Sequence, residues 1–275
     1  MNKQFFLETE LSDNQIALFY LGQVGFMLKY HDKYILIDGY LSDYVDKNCS
    51  DELVKWVRNY PAPISAAELD FVDYVFCTHA HFDHADPYTL KAIASVNPKA
   101  TFFVSGAIQD VILSYGIEKT RVIGLSCDEK TILDDNISVT AIPAAHEELH
   151  CNENGDFDEV GFRFELGNFS VFHGGDSCPY DGLTKRLDGC DILMLPVNGR
   201  DYFRRYVCDI IGNFTAREAA IISNECGADL LIPTHFDLYD VNRINPAEFV
   251  DSLYAVNPYQ KFHIFAPGER FIYTK

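Results

Sequence analysis

Basic residues are scarce in this 275-residue chain, with 22 Lys and Arg against 41 Asp and Glu and a formal net charge of -19. So acidic a surface repels polyanions, and long nucleic acid is not an expected partner. A small anionic substrate stays open, because a metal or clustered arginines create their own near field. Long apolar runs are missing too: none approaches the roughly 18 residues of a membrane span. The opening residues reach Glu8, Glu10 and Asp13 before any signal-like run develops. A cytoplasmic protein without a membrane partner is therefore expected. The eight cysteines include no Cys-x-x-Cys pair, and a chain this long needs no disulfide framework. Most should be reduced, several as small core residues; Cys178 stands apart because it follows Asp176 by two positions. No Gly-, Ser- and Pro-rich linker and no repeat of about 20 to 50 residues is found. One domain over residues 1–275 is the expectation.

What the chain does have is apolar and aromatic mass: 48% hydrophobic residues, 16 Tyr and 21 Phe. That composition can bury a large core and suits strands and a ring-lined pocket. Strand patterns fall at 16–21, 26–30 and 34–37, a meander, and again at 71–77, 101–104, 131–133, 137–142, 161–166, 169–173, 191–195, 229–232 and 262–265. Gly167-Asn168 reads as the turn of a hairpin. Helices are expected at 88–96, with Asp86 as N-cap and Pro87 at the first position, and at 107–115, 216–225 and 246–254. The irregular stretch 41–67, with a short helix expected near 51–57, reads as a lid or a surface excursion.

Thr78-His79-Ala80-His81-Phe82-Asp83-His84 follows the strand ending at Cys77 and precedes the helix at 88. Three histidines and an aspartate at these spacings arise by chance roughly once in 10⁴ chains of this length. Two imidazoles one residue apart can converge on one borderline-soft ion, while Asp83 and His84 turn to a second a few Å away. The bland alternative is a histidine-rich surface turn. Gly22-Gln23-Val24-Gly25, by contrast, is no nucleotide loop, since it lacks both a Walker lysine and a following helix.

With this motif the chain resembles the metallo-β-lactamase-fold hydrolases, and among them the ascorbate 6-phosphate lactonase group, over roughly residues 16–266. The resemblance implies an α/β fold, a four-layer αββα sandwich with the active site along one edge. It implies two divalent metal ions, Zn or Mn. His79, His81 and His146 would hold one, Asp83, His84 and His235 the other, with Asp176 between them. His150, four residues after His146, competes for that place, and His173 is expected to support the strand before Asp176. Asp38, at the end of a strand, resembles a buried acidic position beside the metals. Such ions would sharpen a water and polarise a carbonyl or phosphoryl oxygen, with Asp83 or Asp176 accepting a proton or orienting the nucleophile.

For substrate recognition, the polar and basic segment after the strand at 191–195 draws attention. Arginine grips carboxylate or phosphate in a two-pronged geometry, so Arg200, Arg204 and Arg205 are candidates for an anionic handle. Asn198 is a candidate donor to an oxyanion, and Tyr202 a stacking surface. An ordinary solvated turn is the competing reading. The preferred expectation is hydrolysis of a small phosphorylated lactone such as ascorbate 6-phosphate. The alternatives are a phosphodiesterase for a cyclic or short nucleotide, a thioesterase, and a non-catalytic metal-containing ligand-binding protein. A homo-oligomer that shelters the pocket loops is compatible with the sequence.

Overall fold

The computed structural model describes all of residues 1–275. The first half runs α1 (Lys3–Leu7), β1 (Gln15–Gly22), β2 (Gly25–Tyr30), β3 (Lys33–Ile37), α2 (Tyr44–Asn48), β4 (Tyr74–Cys77), α3 (Pro87–Val96), β5 (Thr101–Ser105), α4 (Gln109–Ser114) and β6 (Val122–Leu125). The second runs β7 (Lys130–Asp134), β8 (Ile137–Pro143), β9 (Val160–Leu166), β10 (Phe169–His173), α5 (Leu183–Leu187), β11 (Ile192–Pro196), α6 (Tyr202–Tyr206), α7 (Ala216–Cys226), β12 (Leu230–Thr234), α8 (Pro246–Val256), β13 (Lys261–Phe262) and β14 (Arg270–Thr274).

These strands form two seven-stranded sheets, ordered β14-β1-β2-β3-β4-β5-β6 and β13-β12-β11-β10-β9-β8-β7. The two-residue period of a strand sorts its side chains between two cores. Ile16, Leu18 and Tyr20 of β1 join the core between the sheets, with Phe162 and Phe164 of β9 and Met194 of β11. Ala17, Phe19 and Leu21 face outward and pack with residues of α1, α3 and α4. The second sheet repeats the pattern, sending Leu193, Leu195 and Leu231 outward against α5, α7 and α8. Both sheets bury both faces, which is why the strands read as continuous apolar runs. The layers are helix, sheet, sheet, helix, the expected αββα sandwich. No helix is long and apolar enough to cross a membrane.

Several elements depart from the expectation. No helix forms over 51–57: the Asp51 carboxylate accepts from the backbone N–H groups of Leu53 and Val54, and the Ser50 hydroxyl from that of Trp56. Such local side-chain bonds offer the backbone an alternative to helix. The helix of this region is α2, seven residues earlier. The strand expected at 262–265 pairs only over Lys261–Phe262, and β14 instead crosses to the first sheet, with Gln15 opposite Thr274. The stretch 41–67 is fastened down. Asp46 takes hydrogen bonds from the hydroxyls of Tyr40 and Tyr239 and from the Arg58 N–H.

Lys29 falls on the outward face of β2 and is buried beneath α1. Its ammonium donates to the carbonyls of Phe6, Leu7 and Thr9, which close the end of that short helix. Lys29→Met should fill the space but leave those carbonyls without a donor. The expected loss is about 1–3 kcal/mol by urea unfolding, with early proteolysis before residue 15.

Candidate metal centre

β3, β4, β8, β10 and β12 all end at one edge of the sandwich. β3 and β4 run parallel in the first sheet; β10, β11 and β12 run parallel in the second, and β8 shares their direction because β9 is antiparallel to both β8 and β10. Past these ends come Asp38, the turn 78–86, His146, Asp176 and His235. The turn folds back on itself, with the N–H groups of His84 and Ala85 donating to the His81 carbonyl. Asp86 then caps α3 by accepting from the Tyr88 N–H, with Pro87 at the first helical position. Gly175 lets the loop before Asp176 press on the first sheet. A Cβ there would sit 2.7 Å from Cβ of Thr78, and its φ is +58°.

All seven residues proposed from the sequence converge. Ligand-type atoms of His79, His81, His146 and Asp176 form one group, and those of Asp83, His84 and His235 another, each within 4.8 Å. Asp176 reaches both: its Oδ2 is 3.7 Å from His146 Nε2 and 3.5 Å from His235 Nε2, and its Oδ1 is 3.3 Å from His84 Nε2. His150 lies outside the cluster, against Glu159 at 3.2 Å, leaving His146 in place. His173 supports the scaffold, with Nε2 2.7 Å from the Val24 carbonyl.

Asp38 sits behind the cluster, fully buried. Oδ1 accepts from the Thr78 N–H at 2.8 Å, and Oδ2 meets the Thr78 hydroxyl at 2.7 Å and His84 Nδ1 at 2.8 Å. That arrangement puts the proton of His84 on Nδ1 and turns Nε2 toward the other ligand-type atoms. Asp38, Gln23 and His235 all have φ between 47° and 60°, a region few non-glycine residues adopt and one concentrated at functional sites.

The atoms left over test whether cations fit. Six buried side-chain polar atoms lack a hydrogen-bond partner, and four of them belong here: His84 Nε2, His146 Nδ1, Asp176 Oδ1 and His235 Nδ1. An unpaired buried polar atom costs about 1–3 kcal/mol; His84 Nε2 and Asp176 Oδ1 face the other ligand-type atoms, where a cation would satisfy them, while His146 and His235 turn their other nitrogen, Nε2, toward Asp176. Imidazoles with carboxylates are the donor set of Zn²⁺, Mn²⁺ or Fe²⁺.

Above the cluster lies a cavity of about 210 Å³. His81, Asp83, His146, Asp176 and His235 border it, and Val45, Trp56, Phe82, Ile210 and Tyr239 supply apolar wall. Trp56 and Val45 belong to the stretch 41–67, which thus stands beside the site as an anchored wall. No Lys or Arg is among the 14 lining residues.

That composition corrects the expected recognition segment, because Asn198, Arg200, Tyr202 and Arg204 do not line the cavity. Asn198 is fully buried, its amide spent on Asn242 and Asn213. Arg200 grips Glu218 with both terminal nitrogens, at 2.8 and 2.7 Å. Arg204 binds Asp201, the Asn198 carbonyl and Asn242. Tyr202 is 75% exposed, its ring beside that of Tyr206. In a chain this acidic Arg200, Arg204 and Arg205 each have a protein carboxylate or carbonyl within reach. Sequence reasoning also passed over Gln23, whose side-chain nitrogen lies 2.9 Å from Asp83 Oδ2 and 3.1 Å from His235 Nε2. The glycines flanking it were the only signal.

Burial and the neighbouring carboxylates pull the imidazoles of the cluster in opposite directions. Burial drives His79 well below the usual imidazole range and His146 down to about 4. Burial acts the same way on His84 and His235, but is outweighed by Asp176, Asp83 and Asp38 around His84 and by Asp176 and Asp83 beside His235, so both are raised. A proton on the ligating nitrogen of either imidazole competes with a cation for the same lone pair. Calorimetric Zn²⁺ titration at neutral pH, in buffers of different ionisation enthalpy, should show proton release. Apparent affinity should fall as pH drops from 7.5 to 6.

Residues 33–236, well over half of the chain, match the family described as Beta-lactamase superfamily domain. A UPF0173 metal-dependent hydrolase of Caldivirga maquilingensis is 25% identical over 252 residues, covering 91% of this chain and 95% of that protein. Igni18, a metallo hydrolase from Ignicoccus hospitalis, superposes with a TM-score of 0.69 at 19% identity, covering 95% of this chain and 99% of that one. The isothiocyanate hydrolase from Delia radicum gut bacteria superposes with a TM-score of 0.73 at 18% identity, covering 94% and 100%. With two stacked sheets flanked by helices and a histidine–aspartate cluster at their shared edge, the chain belongs to the beta-lactamase superfamily and has the metallo-β-lactamase fold.

Proposed function

We propose that this protein is a metal-dependent hydrolase of a small, neutral, largely apolar carbonyl electrophile, such as a lactone or ester. The observation that carries this reading is a ligand cluster at the base of a cavity with apolar walls and no lysine or arginine. The relatives named metal-dependent hydrolases support the metal-dependent hydrolase part of this reading and are silent on the substrate. Two divalent ions, Zn or Mn, would sit against His79, His81 and His146 and against Asp83, His84 and His235, with Asp176 shared. When bound, they supply Lewis acidity, polarising the scissile carbonyl and making a water acidic.

The chain's own residues do the rest. Asp38 fixes the tautomer of His84. Asp83 and Asp176 are held below the usual carboxylate range. Burial opposes this, but the imidazoles of His84 and His235 override it. Asp83 or Asp176 accepts a hydrogen bond from the attacking water, orients it and relays its proton to the leaving oxygen. Trp56, Phe82 and Tyr239 exclude water around the apolar part of the substrate. The negative handle of ascorbate 6-phosphate, which the resemblance favours, would pass Asp83, Asp176 and Asp209 on the cavity wall and meet no lysine or arginine.

A hydrolysis panel with Zn²⁺- and Mn²⁺-loaded protein tests this, setting neutral lactones and esters against phosphorylated lactones, cyclic phosphodiesters and thioesters. Neutral lactones or esters should turn over fastest, chelation should abolish the activity, and His81→Ala should lower kcat/KM by about 10²-fold or more. Turnover of the phosphorylated lactone alone would defeat the neutral-substrate reading. Full metal content with normal turnover in His81→Ala would defeat the ligand assignment. Trp56→Ala should raise KM about tenfold for substrates with an apolar acyl chain and leave the smallest esters little changed, as removal of an apolar contact predicts.

A further inference from the structure

We propose that Gln23 is a positioning residue for the Asp83, His84 and His235 triad, holding the carboxylate of Asp83 in place and so setting the affinity of that triad alone. The proposal rests on the metal-dependent reading above.

Gln23 lies in the turn between β1 and β2 and is 2% exposed. Its side-chain nitrogen is 2.9 Å from Asp83 Oδ2 and 3.1 Å from His235 Nε2. A carboxylate accepts only, so the amide presents N–H to Asp83. One oxygen of Asp83 is thereby held, which fixes the plane of the carboxylate. No atom of the His79, His81 and His146 group is among the partners of Gln23.

The backbone of Gln23 carries a separate set of bonds. Its N–H donates to the Tyr60 hydroxyl, and its carbonyl accepts from the His235 N–H at 2.8 Å and the Tyr20 hydroxyl at 3.1 Å. Tyr60 also packs where a side chain at position 22 would stand, 2.8 Å from a Cβ built on Gly22. The turn is therefore locked, at φ 60°, by contacts that do not involve the amide. The amide is free to serve the triad, and its length matters: asparagine carries the same group and tolerates this backbone, but it is one methylene short of Asp83.

The test is metal stoichiometry and stepwise affinity by chelator competition in full-length protein, comparing wild type, Gln23→Leu and Gln23→Asn with the thermal midpoint of each recorded alongside. The expected result is an unchanged first ion and a second ion bound about tenfold or more weaker in both variants. Retention of wild-type affinity for both ions in folded Gln23→Asn would overturn the proposal. So would equal loss of both ions together with a lowered midpoint in both variants, since that is what a merely structural role produces. Wild-type protein that binds no metal would instead refute the underlying metal-dependent reading.

Discussion

Five imidazoles and two carboxylates must be held close together at the rim of an apolar core, and most of them are buried. Leaving such groups poorly solvated is expensive, so they persist only where a scaffold made stable elsewhere forbids their retreat to water. The inter-sheet core provides that scaffold. Its interleaved Phe, Leu and Ile side chains fix one sheet against the other, and the strand ends have no freedom to separate. Asp38 shows the consequence. Fully buried, it is tolerable because Thr78 and His84 satisfy its oxygens, and it repays that burial by aiming His84.

Charge is partitioned with the same economy. The arginines at 200, 204 and 205 are neutralised by Glu218, Asp201 and Glu147. They brace the loop that carries Ile210 to the cavity and leave the cavity itself without a fixed positive side chain. Arg200 reaches the capping box of α7 through Glu218, so its two-pronged geometry is used to fasten a helix end. Positive charge inside the cavity would come from cations held by the cluster, which places the strongest local field at the reacting atoms.

The sequence displayed the layers and the ligands but not the walls, and the reasons differ by residue. β1, β10, β11 and β12 are legible because both faces of each strand are buried, giving unbroken apolar runs. The turn 78–86 is legible because its ligands lie within six positions. His146, Asp176 and His235 are separately placed, and family resemblance locates them where spacing could not. Trp56, Phe82 and Tyr239 become cavity walls only through long-range packing: Trp56 meets Tyr239 across more than 180 positions. Arg200 misled for a related reason, since a basic residue in a polar segment looks the same whether its carboxylate partner is a ligand or Glu218. Gln23 was hidden because a lone amide between glycines carries no periodicity.

Each half of the cluster draws on both sheets. His79 and His81 follow β4 of the first sheet, whereas His146 follows β8 of the second; Asp83 and His84 belong to the first, His235 to the second. A cation taken up by either group therefore links the two layers as well as completing a reaction centre, and its binding free energy adds to the stability of their packing. The backbone bond from His235 to the Gln23 carbonyl and that from Val160 to the Thr78 carbonyl make the same crossing without metal. They hold the two rims in register before any ligand arrives. Preorganisation of the site and cohesion of the sandwich thus arise from one set of contacts, and a substitution that shifts one sheet against the other would act on the chemistry without touching a ligand.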